Sequence, residues 1–577
     1  MKAADYILQA LRQEKIDHVF LVPGGLIDHF YPALCADPGL RPIVAAHEGG
    51  AAYMADGYAR ASGRFGACFA IGGPGVTNAV TALSAALTDQ SPVFLLTGEV
   101  PTDWEGRGGF QDASPAGLND VEILRPVTAY SYEVESEHLL HFHLRAALRQ
   151  MMGLRRAPVH LSLPVNLQTG EIKAPYETLP ATYFEPRLLD EAAVQDCFQK
   201  FLGDPRAGKA PQRVVILAGH GVERSDAAEA LRGFAERFDI PVATTLRAKG
   251  VLPEDHPLSL GIFGYSGTRH ACETLLSGEI EVLFVLGSGL NQRDTMFWEK
   301  RFRPQHLLVQ VDIDSTVIGK NYAVDVAVTG DCQSFLQGLA KGPKDFLETL
   351  AGGRAARREW LQGIRAKGPR LYEAQNCSSD AVPIHPARAI AELRKALPRE
   401  AVLLVDSGAH RAFCGHYWES FGPGHYLSAT NLGPMGWAIP AAIGAKLARP
   451  KLPLAVVTGD GCMLMHGMEI QTAARYRVPI LYLVLNNQAL GNVYLRARQM
   501  GPGPAELTEI PPKDWAAFAR SLGAEGLVVE KPEDLAPAFA KAAAFPGPCV
   551  VDVRCGRDYG TPVAPWTQAR QAWMDDE

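Results

Sequence analysis

Short runs of apolar residues, most of them closed by glycine, recur along the chain and alternate with segments of helical periodicity. Early examples are 18–22, 67–72 and 93–98, and a helical segment at 50–61 lies between the first two. Similar runs follow at 214–219, 282–287, 307–313, 401–406, 454–459, 480–485 and 550–553. Runs this short and this apolar are typical of strands covered on both faces. The pattern therefore predicts an α/β architecture of doubly wound parallel sheets with helices on both sides.

Two polar passages without periodicity divide the chain into three such blocks. The first lies at about 171–190 and includes Pro175 and Pro180, and the second runs from about 341 to 380. Proline and mixed polar residues without periodicity are typical of linkers. We therefore predict an N-terminal domain, a central domain, a C-terminal domain and a tail, with bounds of 1–170, 190–345, 375–560 and 561–577.

The composition is that of a soluble globular protein and narrows the classes of function. Hydrophobic residues make up 47% of the chain and charged residues 21%, which excludes a disordered protein. The net charge of −7 indicates no strongly basic surface, so we expect no nucleic-acid partner. No uncharged apolar stretch reaches 18 residues and no signal peptide is visible, so no membrane partner is expected. The ten cysteines have no CxxC spacing, which favours reduced thiols in a cytoplasmic protein.

The clearest chemical signal lies at the ends of two apolar runs in the third block. Asp460 follows one run as the middle residue of Gly459-Asp460-Gly461, and Asn487 follows the next run 27 residues later. Carboxylate and amide oxygens suit Mg²⁺, which readily shares its coordination shell with phosphate. The two glycines let the backbone approach a ligand, and a helix starting here would offer N–H groups to phosphate oxygens. For the tripeptide alone, an ordinary strand–turn–helix junction with an aspartate cap is the alternative.

Together with Asn487, this segment resembles the diphosphate- and metal-binding motif of thiamine diphosphate (ThDP) enzymes. The segments 47–60 (HEGGAAYMADGYAR), 73–78 (GPGVTN) and 431–445 (NLGPMGWAIPAAIGA) are similar to further motifs of that family. The likeness covers nearly the whole chain, in the order of the acetolactate synthase and pyruvate oxidase branch. It implies a pyrimidine-binding, a central and a diphosphate-binding domain, in that order.

The resemblance also implies roles for individual residues. Glu48 matches the glutamate that hydrogen-bonds the aminopyrimidine ring of the cofactor and promotes loss of the proton from its thiazolium carbon. The side chains of Asp460 and Asn487 and the backbone carbonyl of Ala489 match the ligands of Mg²⁺. The other cofactor contacts implied by the family are Gly408, His410, Gly433, Met435, Gly459 and Gly461. Ala409 stands where the acetolactate synthase branch usually has glutamine.

Residues beyond these contacts have two interpretations each. The segment 110–112 (FQD) resembles an FQE segment whose glutamine lies in the active site, so Gln111 is a candidate hydrogen-bond donor to substrate. A structural loop glutamine is the alternative. His47 and His29 fit structural roles as well as catalytic ones. The paired histidines of pyruvate decarboxylases are absent near 105–109, which argues against simple decarboxylation of pyruvate.

The middle block resembles the flavin domain of acetolactate synthases at 245–261 and 287–293. Arg293 matches the last arginine of the second segment, but Gly289 replaces the first, which contacts the flavin in that family. Many ThDP enzymes keep this domain without a flavin. The sequence therefore leaves two alternatives open, bound FAD and an empty structural domain.

We predict a ThDP- and Mg²⁺-dependent lyase or carboligase that cleaves a 2-oxo acid or a related 1,2-dicarbonyl and transfers the acyl carbanion to an acceptor carbonyl. A flavin-dependent oxidase similar to pyruvate oxidase and a noncatalytic ThDP-binding paralogue are the alternatives. Intact Glu48, Asp460 and Asn487 argue against the second of these. The resemblance also implies a homodimer or homotetramer whose active sites combine the first domain of one subunit with the third domain of another.

Overall fold

The chain folds into three domains, each built around a six-stranded sheet whose paired strands run parallel. The computed structural model describes residues 1–203 and 211–576. The predicted architecture of three parallel sheets flanked by helices is confirmed. Each apolar run named above forms a strand, and the segment 50–61 lies within a helix.

The N-terminal domain places the ends of its central strands at one edge of the sheet. Its strands are β1 (His18–Leu21), β2 (Arg41–Val44), β3 (Gly66–Ile71), β4 (Val93–Glu99), β5 (Tyr130–Glu133) and β6 (Val159–Pro164). Its helices are α1 (Ala3–Gln13), α2 (Tyr31–Ala36), α3 (Glu48–Ser62), α4 (Pro74–Thr88), α5 (Asp120–Leu124), α6 (Glu137–Met151) and α7 (Val165–Gln168). The strand order is β2-β1-β3-β4-β6-β5. The order reverses between β1 and β3, and such a reversal opens a ligand crevice at the carboxyl ends of the strands.

The central domain follows the connection 171–190, which is largely irregular. Its strands are β7 (Val214–Ala218), β8 (Val242–Thr244), β9 (Ser259–Ile262), β10 (Val282–Leu286), β11 (Leu307–Asp312) and β12 (Val326–Thr329). Its helices are α8 (Glu191–Leu202), α9 (His220–Arg224), α10 (Ala228–Phe238), α11 (Arg269–Leu275), α12 (Cys332–Ala340), α13 (Lys344–Gly352) and α14 (Arg354–Ala366). The strand order is β12-β11-β10-β7-β8-β9, with the reversal between β7 and β10.

The C-terminal domain repeats the strand order of the first, β14-β13-β15-β16-β18-β17. Its strands are β13 (Val402–Val405), β14 (Tyr426–Leu427), β15 (Leu454–Gly459), β16 (Leu481–Asn486), β17 (Glu525–Val529) and β18 (Cys549–Arg554). Its helices are α15 (Pro386–Ala396), α16 (Ala409–Tyr417), α17 (Ala438–Ala448), α18 (Asp460–His466), α19 (Ile470–Arg475), α20 (Gly491–Ala497), α21 (Pro502–Glu506), α22 (Trp515–Ser521), α23 (Leu535–Ala544) and α24 (Ala564–Asp576). The reversal between β13 and β15 places a crevice at the carboxyl ends of these two strands.

Short 3₁₀ helices complete the connections. They lie at Gly25–Phe30, Arg125–Val127, Ala181–Tyr183, Leu246–Ala248, Lys300–Phe302, Ala374–Ser378, Gly467–Glu469, Arg498–Met500 and Pro532–Asp534.

The second polar passage differs from what its composition suggests, because α13 and α14 occupy much of it. The ring of Phe346 lies 4.7 Å from that of Phe198, and the buried guanidinium of Arg357 donates to the carbonyl of Phe238. These contacts attach both helices to the central domain, which therefore continues past residue 345. The passage looks polar because each helix buries only one narrow face.

The first and third domains pack through two small-residue helices, α3 and α17. A Cβ on Gly57 would lie 2.0 Å from the carbonyl oxygen of Ala441, and one on Gly444 would lie 1.8 Å from that of Met54. The backbones therefore touch, and only glycine is accommodated at either position. One hydrophobic core runs through both domains as a result.

Candidate active site

The third domain brings Asp460 and Asn487 together, as their positions after two strands predict. Asp460 is the first residue of α18, Asn487 directly follows β16, and β15 pairs with β16 up to Gly459 and Leu485. Oδ2 of Asp460 accepts hydrogen bonds from the backbone N–H groups of Asn487 and Gln488, both at 2.9 Å. The loop after β16 is thereby fastened to the carboxylate.

The carboxylate of Asp460 is buried, with 2% of the residue exposed. Its Oδ1 accepts the indole N–H of Trp515 at 2.7 Å. Burial raises the pKa of Asp460, although these hydrogen bonds act in the opposite direction. In the described part of the chain no basic side chain forms an ion pair with it. Oδ1, which accepts a single hydrogen bond, keeps lone-pair capacity, so the group is suited to a bound cation.

A cavity of about 80 Å³ next to Asp460 collects most of the predicted cofactor contacts. Its walls include Gly408, His410, Met435, Gly459, Asp460, Gly461, Asn487 and Ala489. A Cβ on Gly461 would lie 2.5 Å from Cε of Met435, and one on Gly408 would lie 2.5 Å from Cε1 of His410. Because these glycines have no side chain, other groups can come close to the backbone at both positions. The sequence suggests this property for Gly461.

His410 contributes an uncharged polar group to this cavity. Burial lowers its pKa to about 3, with a further contribution from Arg411, so the imidazole is neutral. Its Nε2 has no hydrogen-bond partner among the described atoms. Ala409 lies beside it against Gly491, where an added Cβ would be 3.1 Å from the Ala409 Cβ. Gly433 lies outside this cavity and lines a neighbouring one with Ser407 and Arg411, and its φ of 70° is left-handed.

The first domain presents Glu48 at the start of α3. Oε2 of Glu48 accepts a hydrogen bond from Nδ2 of Asn78 at 2.9 Å, and the side chain is half-buried against Gly75. His47 is the N-cap of α3, because its Nδ1 accepts the N–H of Gly49 at 3.0 Å. A structural role thus accounts for His47. His29 lies exposed on the 3₁₀ helix Gly25–Phe30.

Gln111 belongs to the long loop 101–119 between β4 and α5. Its φ of 62° is left-handed, which is uncommon for a residue with a side chain and marks a tightly shaped turn. Neither Gln111 nor Glu48 is among the residues that line the cavity at Asp460. Within one chain, Glu48 and Gln111 of the first domain therefore lie apart from the predicted cofactor contacts of the third domain.

Three contacts of the predicted residues do not follow from the sequence. Asn78 lies within the GPGVTN segment, and its position after a strand was the available signal. Trp515 is 55 residues from Asp460 and belongs to no recognisable motif. Glu469 is a third such residue, because its carboxylate accepts the N–H groups of Ala46 and His47 and so joins the start of α3 to the third domain.

A crevice lies at the carboxyl ends of the central domain's strands and is bordered by residues of the other two domains. It is formed by two cavities of about 430 and 420 Å³, the first of which is the one that Gly433 lines. The second is lined by Arg156, Arg224 and Arg247, which donate only to neutral acceptors in the described residues. Burial, together with the nearby Arg156 and Arg247, lowers the pKa of Arg224 to about 9. The first cavity includes Arg293, whose guanidinium stacks 4.6 Å from the ring centre of Tyr265. The crevice therefore carries excess positive charge.

Comparison with known proteins places these sites in a family. Three models match along the chain: the N-terminal TPP binding domain of thiamine pyrophosphate enzymes at 1–118, the central domain at 209–339, and the C-terminal TPP binding domain at 406–553. A probable acetolactate synthase large subunit of Methanocaldococcus jannaschii is 33% identical, with 98% of this chain and 94% of that protein covered. The chain belongs to the thiamine pyrophosphate enzyme family.

Further relatives of this family show which branch the chain resembles. The acetolactate synthase large subunit of Corynebacterium glutamicum is 32% identical, over 97% of this chain and 87% of that protein. The glyoxylate carboligase of Escherichia coli O157:H7 is 31% identical, over 96% and 93% respectively. The prediction of a thiamine diphosphate-dependent, acetolactate synthase-like enzyme is confirmed. Among the described residues, no helix of this thiamine pyrophosphate enzyme is long and apolar enough to cross a membrane.

Proposed function

We propose that the protein cleaves a 2-oxo acid, or a related 1,2-dicarbonyl, and transfers the acyl carbanion to an acceptor carbonyl with ThDP and Mg²⁺. The observation that carries this proposal is the cavity at Asp460, where an anionic group, an amide and a neutral imidazole converge with glycine backbone. Bound ThDP supplies the nucleophilic carbon and accepts the electron pair released when the bond between the two carbonyl carbons breaks. The protein has to hold this cofactor, handle its proton and orient the substrate.

Mg²⁺ would be held by Oδ of Asp460, Oδ1 of Asn487 and the carbonyl oxygen of Ala489. The buried Asp460 has no ion-pair partner among the described residues, so a divalent cation would offset its charge. This ligand set contains one acid and no histidine or cysteine, which agrees with the lack of any cluster of three such residues in the described ranges. Nε2 of His410 would meet a diphosphate oxygen, and Gly459 and Gly461 would leave room for it. Gly408 and Gly433 would add backbone contacts, and Met435 an apolar surface.

Glu48 would promote loss of the proton from the thiazolium carbon of the bound cofactor. Asn78 already donates to Oε2 of Glu48, which leaves Oε1 for the aminopyrimidine ring of the cofactor. By holding a proton at Oε1, next to that ring, Glu48 would prepare the bound cofactor for reaction with the substrate. Gln111 would donate a hydrogen bond to the carbonyl oxygen of the substrate or to the hydroxyl formed from it.

The complete site would be shared between subunits of a homodimer or homotetramer. Glu48 and Gln111 lie apart from the cavity at Asp460, so a second copy of the chain is needed to bring the two halves together. Leu464, Met465 and Met468 follow Asp460 on α18 and the next turn, and each is more than half exposed. Exposed apolar side chains beside a polar cavity are typical of an interface.

FAD remains a candidate cofactor for the central crevice. Its size suits a dinucleotide, and the guanidiniums of Arg156, Arg224 and Arg247, which form no ion pair among the described residues, suit the diphosphate of such a ligand. No feature favours the flavin oxidase over the carboligase, so the flavin would be structural. We expect the purified protein to be yellow if FAD is bound, and Arg224→Gln to weaken its retention. A colourless protein that takes up no added FAD would leave the crevice as a structural feature.

The first test is a proton NMR time course with ThDP, Mg²⁺ and either pyruvate or glyoxylate. We expect a carboligation product from one of these 2-oxo acids in wild-type protein. Glu48→Gln should bind ThDP but form product orders of magnitude more slowly. Acetate with peroxide would indicate the flavin oxidase instead. Binding of ThDP with no turnover of these or other 2-oxo acids would favour the noncatalytic paralogue.

A further inference from the structure

Two carboxylates that the proposed function does not use lie fully buried in the first domain. Glu99 ends β4 and Asp120 begins α5, and their exposed fractions are 0% and 1%. A Cβ built on Gly72 would lie 2.9 Å from Oε2 of Glu99 and 3.3 Å from Oδ2 of Asp120. The two acids therefore converge on the same point beneath the turn between β3 and α4.

Each acid is tied to a different segment by its hydrogen bonds. Oε1 of Glu99 accepts the N–H groups of Val100 at 2.8 Å and Ala113 at 3.0 Å. Oδ2 of Asp120 accepts the N–H of Gly73 at 2.8 Å. The other oxygens, Oε2 of Glu99 and Oδ1 of Asp120, have no partner in the described part of the chain. It is unfavourable to bury two ionised carboxylates beside the same turn when one oxygen of each lacks a hydrogen-bond partner.

Among the described residues, no positive charge acts on the pKa of either acid. The titratable groups near the pair are Glu105 and Asp112 of the loop 101–119, Glu133 of β5, and His160, which hydrogen-bonds Thr97 of β4. Burial and the nearby acids, including Glu99, raise the pKa of Glu133 to about 8. Burial lowers the pKa of His160 to about 3, so it is neutral. Burial, together with the neighbouring acids, raises the pKa of Glu99 to about 7 and that of Asp120 to about 7.

We propose that Glu99 and Asp120 hold one proton between them in the folded protein, so that only one of the two carboxyl groups is ionised near neutral pH. The proton comes from solvent and returns to solvent when both groups ionise. Through Ala113 and Gly73, the pair fastens the loop 101–119 to the turn 72–75. When both acids are ionised, their repulsion loosens that attachment.

The pair is a positioning element, because both acids are fully buried and line none of the cavities described above. Ala113 is two residues from Gln111, and the helix that begins after Gly73 carries Asn78, the partner of Glu48. A loosened loop would therefore displace Gln111 and the Asn78 partner of Glu48 together. This consequence for catalysis rests on the proposed function, whereas the shared proton does not.

The test measures hydrogen–deuterium exchange of the loop 101–119 in the ThDP- and Mg²⁺-loaded protein between pH 6 and pH 9, corrected for intrinsic exchange. We expect protection in wild-type protein to fall about tenfold across this range, since local opening follows the strength of the attachment. Glu99→Gln removes the charge at position 99, so the repulsion is absent at every pH and protection should stay constant. Glu122→Gln removes an exposed acid from the same helix and should behave like wild type.

Two results would overturn the proposal: wild-type protection that does not change with pH, or an unchanged pH dependence in Glu99→Gln. If Glu99→Gln does not fold, Asp120→Asn carries the same expectation. A parallel profile of kcat/KM should lose its alkaline decline in Glu99→Gln. If no turnover is found in any variant while the exchange results are as expected, the proposed function fails and the shared proton stands.

Discussion

The indole N–H of Trp515 donates to Oδ1 of Asp460 at 2.7 Å, and both side chains are buried. Oδ2 of the same carboxylate accepts two backbone N–H groups from the loop after β16. The carboxylate is thereby fixed in orientation before any cation arrives. Groups behind a metal ligand commonly set its geometry and its affinity for the metal.

We expect Trp515→Phe to weaken Mg²⁺ binding about tenfold, or roughly 1.4 kcal/mol, because Oδ1 loses its fixed donor. Titration of the apoprotein with Mg²⁺ at saturating ThDP measures the change. Trp360→Phe is the matched control, since the Trp360 indole donates to Glu279 at the surface over 3.3 Å. Equal Mg²⁺ affinities for the two variants would show that the Trp515 contact is structural only.

The shared-site arrangement predicts complementation between two inactive variants. Glu48→Gln disables the site half on the first domain, and Asp460→Ala disables the half on the third domain. In a random mixture, about half of the dimers carry both variants and each of these has one intact site, so about a quarter of wild-type activity should return. Activity after denaturation and mixed refolding measures this. Inactive mixtures in which mixed dimers are demonstrated would rule out shared sites.

Gly461→Ala should abolish cofactor binding and destabilise the fold by about 1–3 kcal/mol. The added methyl group would lie 2.5 Å from Cε of Met435 and 2.6 Å from Cδ2 of Leu490. Gly363→Ala is the matched control, because a Cβ at that helical position meets nothing within 4 Å. That substitution should stabilise the protein by about 0.5–1 kcal/mol. Thermal unfolding and ThDP binding measure both effects, and a Gly461→Ala protein with normal ThDP affinity would contradict the proposed cofactor position.

The raised pKa values of Glu99 and Asp120 predict how stability depends on pH. The unfolded chain releases the proton that the pair shares near pH 4, whereas the folded protein keeps it to about pH 7, so stability falls as pH rises through this window. Glu99→Gln removes this shared titration, so its melting temperature should fall by about 2 °C less than that of wild type between pH 5 and pH 8. Parallel melting curves for the two proteins would contradict this prediction. Asp294, Asp312 and Asp406, whose pKa values are also raised, remain in both proteins. Glu133 remains as well, and because Glu99 contributes to its raised pKa, Glu99→Gln reduces that titration in the same direction.

The apolar runs in the sequence identify the inner strands of each sheet better than the outer ones. All six edge strands, among them β2 (RPIV) and β5 (YSYE), lie outside the predicted runs. Edge strands pair on one side only, are often partly exposed, and therefore need not be apolar throughout. The helices α13 and α14 were missed for a related reason, since each buries a single face.

The sequence alone determined the local features of this protein: which segments form buried strands, which turns need glycine, and which oxygen-bearing residues follow adjacent strands. These depend on neighbours along the chain, so Asp460, Asn487 and the start of α3 at Glu48 were identified from motifs. Only the tertiary structure decided what lies opposite them. Trp515 reaches Asp460 from 55 residues away, and Glu99 meets Asp120 beneath Gly72, because packing brings distant segments together without leaving a periodic trace in sequence. The same packing decided that Glu48 and the cavity at Asp460 remain apart within one chain.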